Sequence, residues 1–210
     1  MGNSAKQKIV IATANLHKLS EIIRILDYPG LSVLSLRDFP DISGVEETGK
    51  SFHENALLKA RPVYQRTGLI TLADDSGLEV DALGGAPGIY SARFAGRSRD
   101  YDANNQKLLA ELKLVPHEQR GAQFRCVVAI VSDLNEQVVE GIVRGHIIKE
   151  PRGEGGFGYD PLFVPDGFKR TYAELGVEIK NRISHRAIAF RKAAEVLKNL
   201  STKKYSGGFE

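Results

Sequence analysis

The chain has 210 residues, 42% hydrophobic and 26% charged, with a formal net charge of +3. That suits one large globular domain or two small ones, each able to bury a core. So small a charge excludes the basic stripe of a nucleic-acid binder and favours a small anionic ligand. No apolar run approaches the ~20 residues of a membrane helix.

The elements alternate along the chain. Residues 1–7 read as a loose end, and "KIVIATAN" as a buried strand stopping at Asn15. Asn15 is a good N-cap for a helix over "LHKLSEIIRIL", with Leu16, Leu19, Ile22, Ile23 and Leu26 on one face. "LSVLSL" reads as a second strand. After a polar loop, Ser51 and Glu54 have capping-box spacing at the start of a helix. Pro62 falls inside that helical pattern and predicts a kink or an early end.

"GLITLA" is a third strand, expected to end at Asp74 and Asp75, and "DYDANNQKLLAELKLV" is helical. "AQFRCVVAIVS" and "QVVEGIVRGHII", joined through "DLNE", form an antiparallel hairpin. The last helix runs through "SHRAIAFRKAAEVLKNL", with Ala187, Phe190, Ala194 and Leu197 on one face. "STKKYSGGFE" reads as a second loose end. Strands alternating with helices, plus a hairpin, indicate an α/β domain with a mixed sheet. The one cysteine, Cys126, sits in an apolar strand and reads as a buried thiol. A lone cysteine cannot make an internal disulfide, so a reducing, cytoplasmic home is expected.

Four features carry chemistry. Lys18 lies in the first turn of a helix with His17 beside it, where the helix already carries positive charge. Either it points out to solvent or an anion belongs there. "KNRISHRA" repeats the arrangement, with Ser184 as N-cap, His185 and Arg186 in the first turn and Lys180 just before. In "PRGEGGFGYDPLF", glycines surround Phe157 and Tyr159; this is either a plain surface loop or exposed aromatics held to stack a flat base. Asp74 and Asp75 are adjacent like charges beside a core, costly unless a cation, proton or donors meet them. On an extended chain they face opposite ways, so one should face a pocket and the other bond backbone or a basic neighbour. Glu46 or Glu47 could add a second ligand, a set suited to Mg²⁺, though carboxylates capping the glycine turn are the alternative.

The segments "ATANLHK", "EETGKSFHENALLKA", "LADDSGLEVDALGGAPGIYSARF", "GGFGYDPLF" and "ISHRA" together resemble the inosine triphosphate pyrophosphatase family, in its order and roughly its spacing. The resemblance runs from Ile9 to about Leu200 and implies one nucleotide pyrophosphatase domain spanning residues 1–210. It implies an elongated mixed sheet flanked by helices, in two lobes with a substrate cleft between, and a homodimer. The implied reaction hydrolyses ITP, dITP and XTP to monophosphate and pyrophosphate with Mg²⁺.

By position, the resemblance makes Thr13, Ala14, Asn15, Leu16, His17 and Lys18 the phosphate-binding turn, with Asn15 and Lys18 the principal contacts and Lys59 a second phosphate lysine. Glu47 and Asp75 match the metal ligands. Asp75 is also the catalytic aspartate, and Ser76 touches substrate. Phe157, Gly158, Tyr159 and Asp160 match the base-side loop, and Lys180, His185 and Arg186 the base-recognising group. Ala14 stands where glycine is frequent in the family. Two rivals remain open: a related hydrolase of pyrimidine or modified nucleotides, and a nucleotide-binding sensor without hydrolysis. Neither nucleic acid nor membrane is expected as a partner.

Overall fold

A computed structural model describes residues 6–42, 45–96 and 100–206, with side chains to residue 200. Six strands form one sheet in the order β2-β1-β3-β4-β5-β6. They are β1 (Gln7–Ile11), β2 (Leu31–Ser35), β3 (Ile70–Val80), β4 (Gly121–Val131), β5 (Glu136–Ile147) and β6 (Phe163–Pro165). The helices are α1 (Leu16–Ile25), α2 (Phe52–Thr67), α3 (Tyr101–Glu111), α4 (Tyr172–Ile183) and α5 (His185–Ser206). β1 pairs in parallel with both β2 and β3, with Ile9 opposite Val33 and Ile70. β5 and β6 are antiparallel. β4 and β5 are neighbours joined by only residues 132–135, a link too short for any but an antiparallel pair. The expected α/β class with a mixed sheet holds.

The chain forms two compact units. One comprises Met1–Asp75, Val127–Glu140 and Ile188–Glu210, the other Ser76–Cys126 and Gly141–Ala187. The first has a core of Ile9, Val10, Ile11, Ile22, Leu72, Phe190 and Leu197, with the continuously buried run Val127–Val131. Such a run marks a strand covered on both faces. The second buries Leu78, Leu108, Phe124, Leu162, Phe163 and Tyr172. Each such side chain contributes about 1.5–3 kcal/mol over its exposed state.

Several expectations are corrected. Gln7 belongs to β1, and α5 continues to Ser206, so the loose ends are shorter than 1–7 and 201–210. Residues 1–5 and 207–210 of those ends lie outside the described residues. α1 buries Leu19, Ile22 and Leu26, but Leu16 and Ile23 are exposed. Ala194 is only partly buried and Ala193 takes the inner position. Pro62 does not end α2, which runs on to a left-handed Gly68 C-cap. Pro62 lies on the exposed face, where water can satisfy the carbonyl its missing N–H leaves. Ser51 caps the Glu54 N–H, but the Glu54 carboxylate accepts from Lys50 N, so the capping box is half formed.

Most consequential, β3 does not stop at the aspartates but continues through Asp74, Asp75 and Ser76 to Val80. α4 was not foreseen. It opens on a Thr171–Glu174 capping box and is broken internally at Gly176, where φ is 77°.

Candidate active site

In the first unit, the turn between β1 and α1 is shaped by its own side chains. The Thr13 hydroxyl accepts from Asn15 N at 3.2 Å. Asn15 Oδ1 accepts from His17 N at 3.0 Å and Lys18 N at 3.3 Å. Asn15 is therefore the N-cap of α1. Ala14, Leu16 and His17 are exposed around it. No described non-glycine residue has a positive φ, so alanine at position 14 costs this turn no left-handed strain.

Lys18 does not point out to solvent. Its ammonium lies 3.0 Å from Asp74 Oδ2, and the Asp74 side chain is fully buried. Because adjacent strand residues face opposite ways, Asp75 meets a different cation. Lys59 of α2 reaches Asp75 Oδ1 at 3.2 Å and Glu47 Oε1 at 2.8 Å, bridging the two carboxylates. Lys59, Glu47 and Asp75 are thus brought together as expected, whereas Glu46 is exposed.

One residue of this cluster escaped the sequence reading. Asn55, one helical turn before Lys59, is fully buried. Its Nδ2 donates to Asp75 Oδ2 at 3.1 Å, and its Oδ1 accepts from Gly49 N at 2.8 Å. It ties the loop carrying Glu47 to the catalytic candidate. The i, i+4 spacing of Asn55 and Lys59 was the available signal.

Burial, the strongest influence, raises the Asp75 carboxyl above its ordinary value. The Glu47 charge raises it further, against the opposing pull of Lys59, Lys18 and the Asn55 amide. Burial would lower Lys59, but Asp75, Asp74 and Glu47 outweigh it and hold the ammonium above its usual range. Three carboxylates, Asp74, Asp75 and Glu47, thus meet two lysines, Lys18 and Lys59. Among the described residues no group of three or more His, Cys, Asp or Glu forms a metal cluster. Glu47 and Asp75 nevertheless share one cation, and two hard carboxylates are what Mg²⁺ takes from a protein when phosphates and waters complete its shell.

In the second unit, Asp160 closes the glycine loop. Its Oδ2 accepts from Phe157 N at 2.8 Å and pairs with the Lys180 ammonium, with Asp160 and Lys180 both 2% exposed. Gly156 adopts φ 77°, and a Cβ there would collide with the Asp160 carboxylate. Phe157 is half-buried, and the Lys180 ammonium lies 4.5 Å from its ring centroid. Tyr159 corrects the expectation of exposed aromatics. It is 4% exposed, its hydroxyl donates to Ser91 O at 3.0 Å, and burial pushes its phenol upward.

Ser184 ends α4 and caps α5, its hydroxyl accepting from Ala187 N at 3.2 Å. The first turn of α5 then places His185 flat against Phe124, with centroids 4.6 Å apart at 8°. Arg186 Nη2 donates to Ser76 Oγ at 3.0 Å. Both residues are buried, at 4% and 2% exposure. Ser76, Phe157, Gly158, Asp160, Lys180, His185 and Arg186 all lie in this unit, and Thr13–Lys18, Glu47, Lys59 and Asp75 in the first. The border between the two sets falls at the Asp75–Ser76 peptide.

Over most of its length the chain is similar to known proteins. The Ham1 family profile matches residues 9–196. A dITP/XTP pyrophosphatase of Desulforamulus reducens is 51% identical over 194 residues, covering 92% of this chain and 96% of that protein. One from Mycobacterium tuberculosis is 50% identical over 198 residues, covering 93% and 97%. Among solved structures, a Ham1 protein of Staphylococcus aureus superposes with a TM-score of 0.83 at 40% identity, over 92% of this chain and 99% of that one. A HAM1 protein of Coxiella burnetii gives 0.84 at the same identity and coverage. With the profile spanning nearly every element and half the residues shared with these relatives, the chain belongs to the Ham1 family.

Proposed function

We propose that the protein hydrolyses deaminated purine nucleoside triphosphates, namely ITP, dITP and XTP, to the monophosphate and pyrophosphate. The consequence is a nucleotide pool kept free of bases that would miscode in DNA and RNA. The observation that carries this reading is the pairing of Asp75 with Glu47 through Lys59, on a strand whose next residue, Ser76, is held by Arg186. The relatives named dITP/XTP pyrophosphatase support it.

In this reading Asp75 orients and deprotonates the water that attacks the α-phosphorus. Asn55 fixes its second oxygen. Lys18 and Lys59 offset charge on the phosphates and on the departing pyrophosphate. Glu47 and Asp75 would hold Mg²⁺, which when bound would further neutralise the phosphate oxygens. The Thr13–Lys18 turn offers the phosphates a helix N-terminus.

On the base side, Phe157 supplies a stacking face, and Lys180, His185 and Arg186 supply donors. Hypoxanthine and xanthine present a 6-carbonyl acceptor where adenine presents an amino donor, so a donor-lined site rejects ATP. The protein acts as a homodimer in the cytoplasm. Its single cysteine, Cys126, buried in β4, supports a reducing compartment because it can form no internal disulfide.

The test is a panel of ITP, dITP, XTP, GTP and ATP, each with Mg²⁺. The reading expects efficiencies for the first three to exceed ATP by at least roughly a hundredfold, and by up to about 10⁴-fold where the donors of the site are left unpaired. Equal rates on all five, or preference for a pyrimidine nucleotide, would overturn it.

A further inference from the structure

Helix α3 carries no residue assigned above, yet one of its faces abuts the base-side loop. Asn105 Nδ2 donates to Gly158 O at 3.0 Å. One turn earlier, the Tyr101 ring lies 5.9 Å from the Phe157 ring, tilted at 44°. Positions 101 and 105 share a helix face, so α3 holds two consecutive loop residues at once. Lys180 and Arg186 contact the same Phe157 ring, with Arg186 Cζ 5.7 Å from its centroid. The ring's place is thus set jointly by base-side cations and by α3.

Asn105 is 8% exposed, and its Oδ1 is buried with no partner among the described residues. A buried half-satisfied amide costs stability, and a similar-sized apolar residue would avoid that cost. Stability therefore does not explain an asparagine here, whereas the bond to Gly158 does. Gly158 adopts φ 66°, a left-handed turn that glycine takes without steric cost, and its carbonyl is the group that Asn105 holds.

We propose that Asn105, seconded by Tyr101, is a positioning residue that fixes the Phe157–Gly158 segment for purine stacking and so sets affinity for the base. It acts through the loop, without touching the phosphates. The inference rests on the pyrophosphatase reading above.

The test compares wild type with Asn105→Leu and Asn105→Asp, both close in volume and both lacking the donated bond. Three measurements are made: KM and kcat for ITP, hydrolysis of ribose 5-triphosphate (a substrate without a base), and the thermal midpoint. The expected result is KM for ITP raised roughly three- to tenfold in both variants, the range one neutral hydrogen bond commands. kcat should stay within about twofold, rates on ribose 5-triphosphate should be unchanged, and Asn105→Leu should melt within about 4 °C of wild type, the scale of one neutral hydrogen bond. An unchanged KM for ITP overturns the proposal. So does an equal fall on ITP and ribose 5-triphosphate, or failure of both variants to fold, either of which assigns Asn105 to the scaffold. Wild type that does not hydrolyse ITP would instead overturn the function on which the proposal rests.

Discussion

Arg186 donates from Nη2 to the Ser76 hydroxyl at 3.0 Å, and Ser76 follows Asp75 directly on β3. The residue expected to read the base thus grips the chain one peptide bond from the residue expected to activate water.

Replacing Arg186 by alanine removes a charged donor that is 2% exposed. Loss of such a donor costs about 1.5–3 kcal/mol, so ITP efficiency should fall roughly tenfold to a hundredfold. Already poor ATP hydrolysis should change much less. The quantity to measure is the ITP/ATP ratio of kcat/KM, which should fall. Equal loss on both substrates would assign Arg186 to the scaffold through its hold on Ser76.

Lys18→Ala should weaken ITP binding, and the wild-type advantage should shrink as salt rises. The structure adds a consequence for stability. The variant leaves the fully buried Asp74 carboxylate without its lysine, and breaking a buried pair costs about 3–5 kcal/mol. Removing both charges, as Lys18→Met with Asp74→Asn, should recover much of that loss in urea denaturation. A single variant as stable as wild type would show that the pair contributes nothing.

Lys59 carries a pH signature in metal-free protein. Burial acts to lower its pKa, but Asp75, Asp74 and Glu47 raise it above the ordinary 10.5. A folded value above the unfolded one means stability that is fully present below about pH 10.5 and lost as pH rises through the folded value. Lys59→Met should therefore be less stable than wild type at pH 8, by about 3 kcal/mol for a broken buried pair, with the gap narrowing at pH 11. Denaturant midpoints in chelator at the two pH values measure this. A gap that widens with pH would contradict the sign.

Asp75→Asn should keep fold and nucleotide binding while losing turnover by about a hundredfold or more, the scale of a general base. Circular dichroism and equilibrium ITP binding check the first part, and pyrophosphate release checks the second. Near-normal turnover would move the base elsewhere.

The local signals that proved legible were those written in neighbouring residues. The Asn15 cap, the Ser51 start of α2 and the strand–helix alternation follow from patterns a few residues long. What stayed hidden depended on partners far along the chain. Aspartates are poor strand residues, so ending β3 at Asp74 was the local reading; Lys18 and Lys59, from two different helices, let the strand continue. A glycine loop gives no local sign that Tyr159 is buried; Ser91, far along the chain, takes its hydroxyl into the core.

Gly176 breaks the periodicity that would mark α4 in the sequence, although Thr171 and Glu174 spell out its start. The Asn55 and Asn105 amides meet their partners, Asp75 and Gly158, only across the fold.

The most direct measurement of the account is hydrolysis of ITP with Mg²⁺ in ¹⁸O-enriched water, with mass analysis of both products. Attack on the α-phosphorus predicts one labelled oxygen in IMP and unlabelled pyrophosphate, with the signal lost in Asp75→Asn. Formation of IDP with labelled orthophosphate, or label in pyrophosphate, would contradict it.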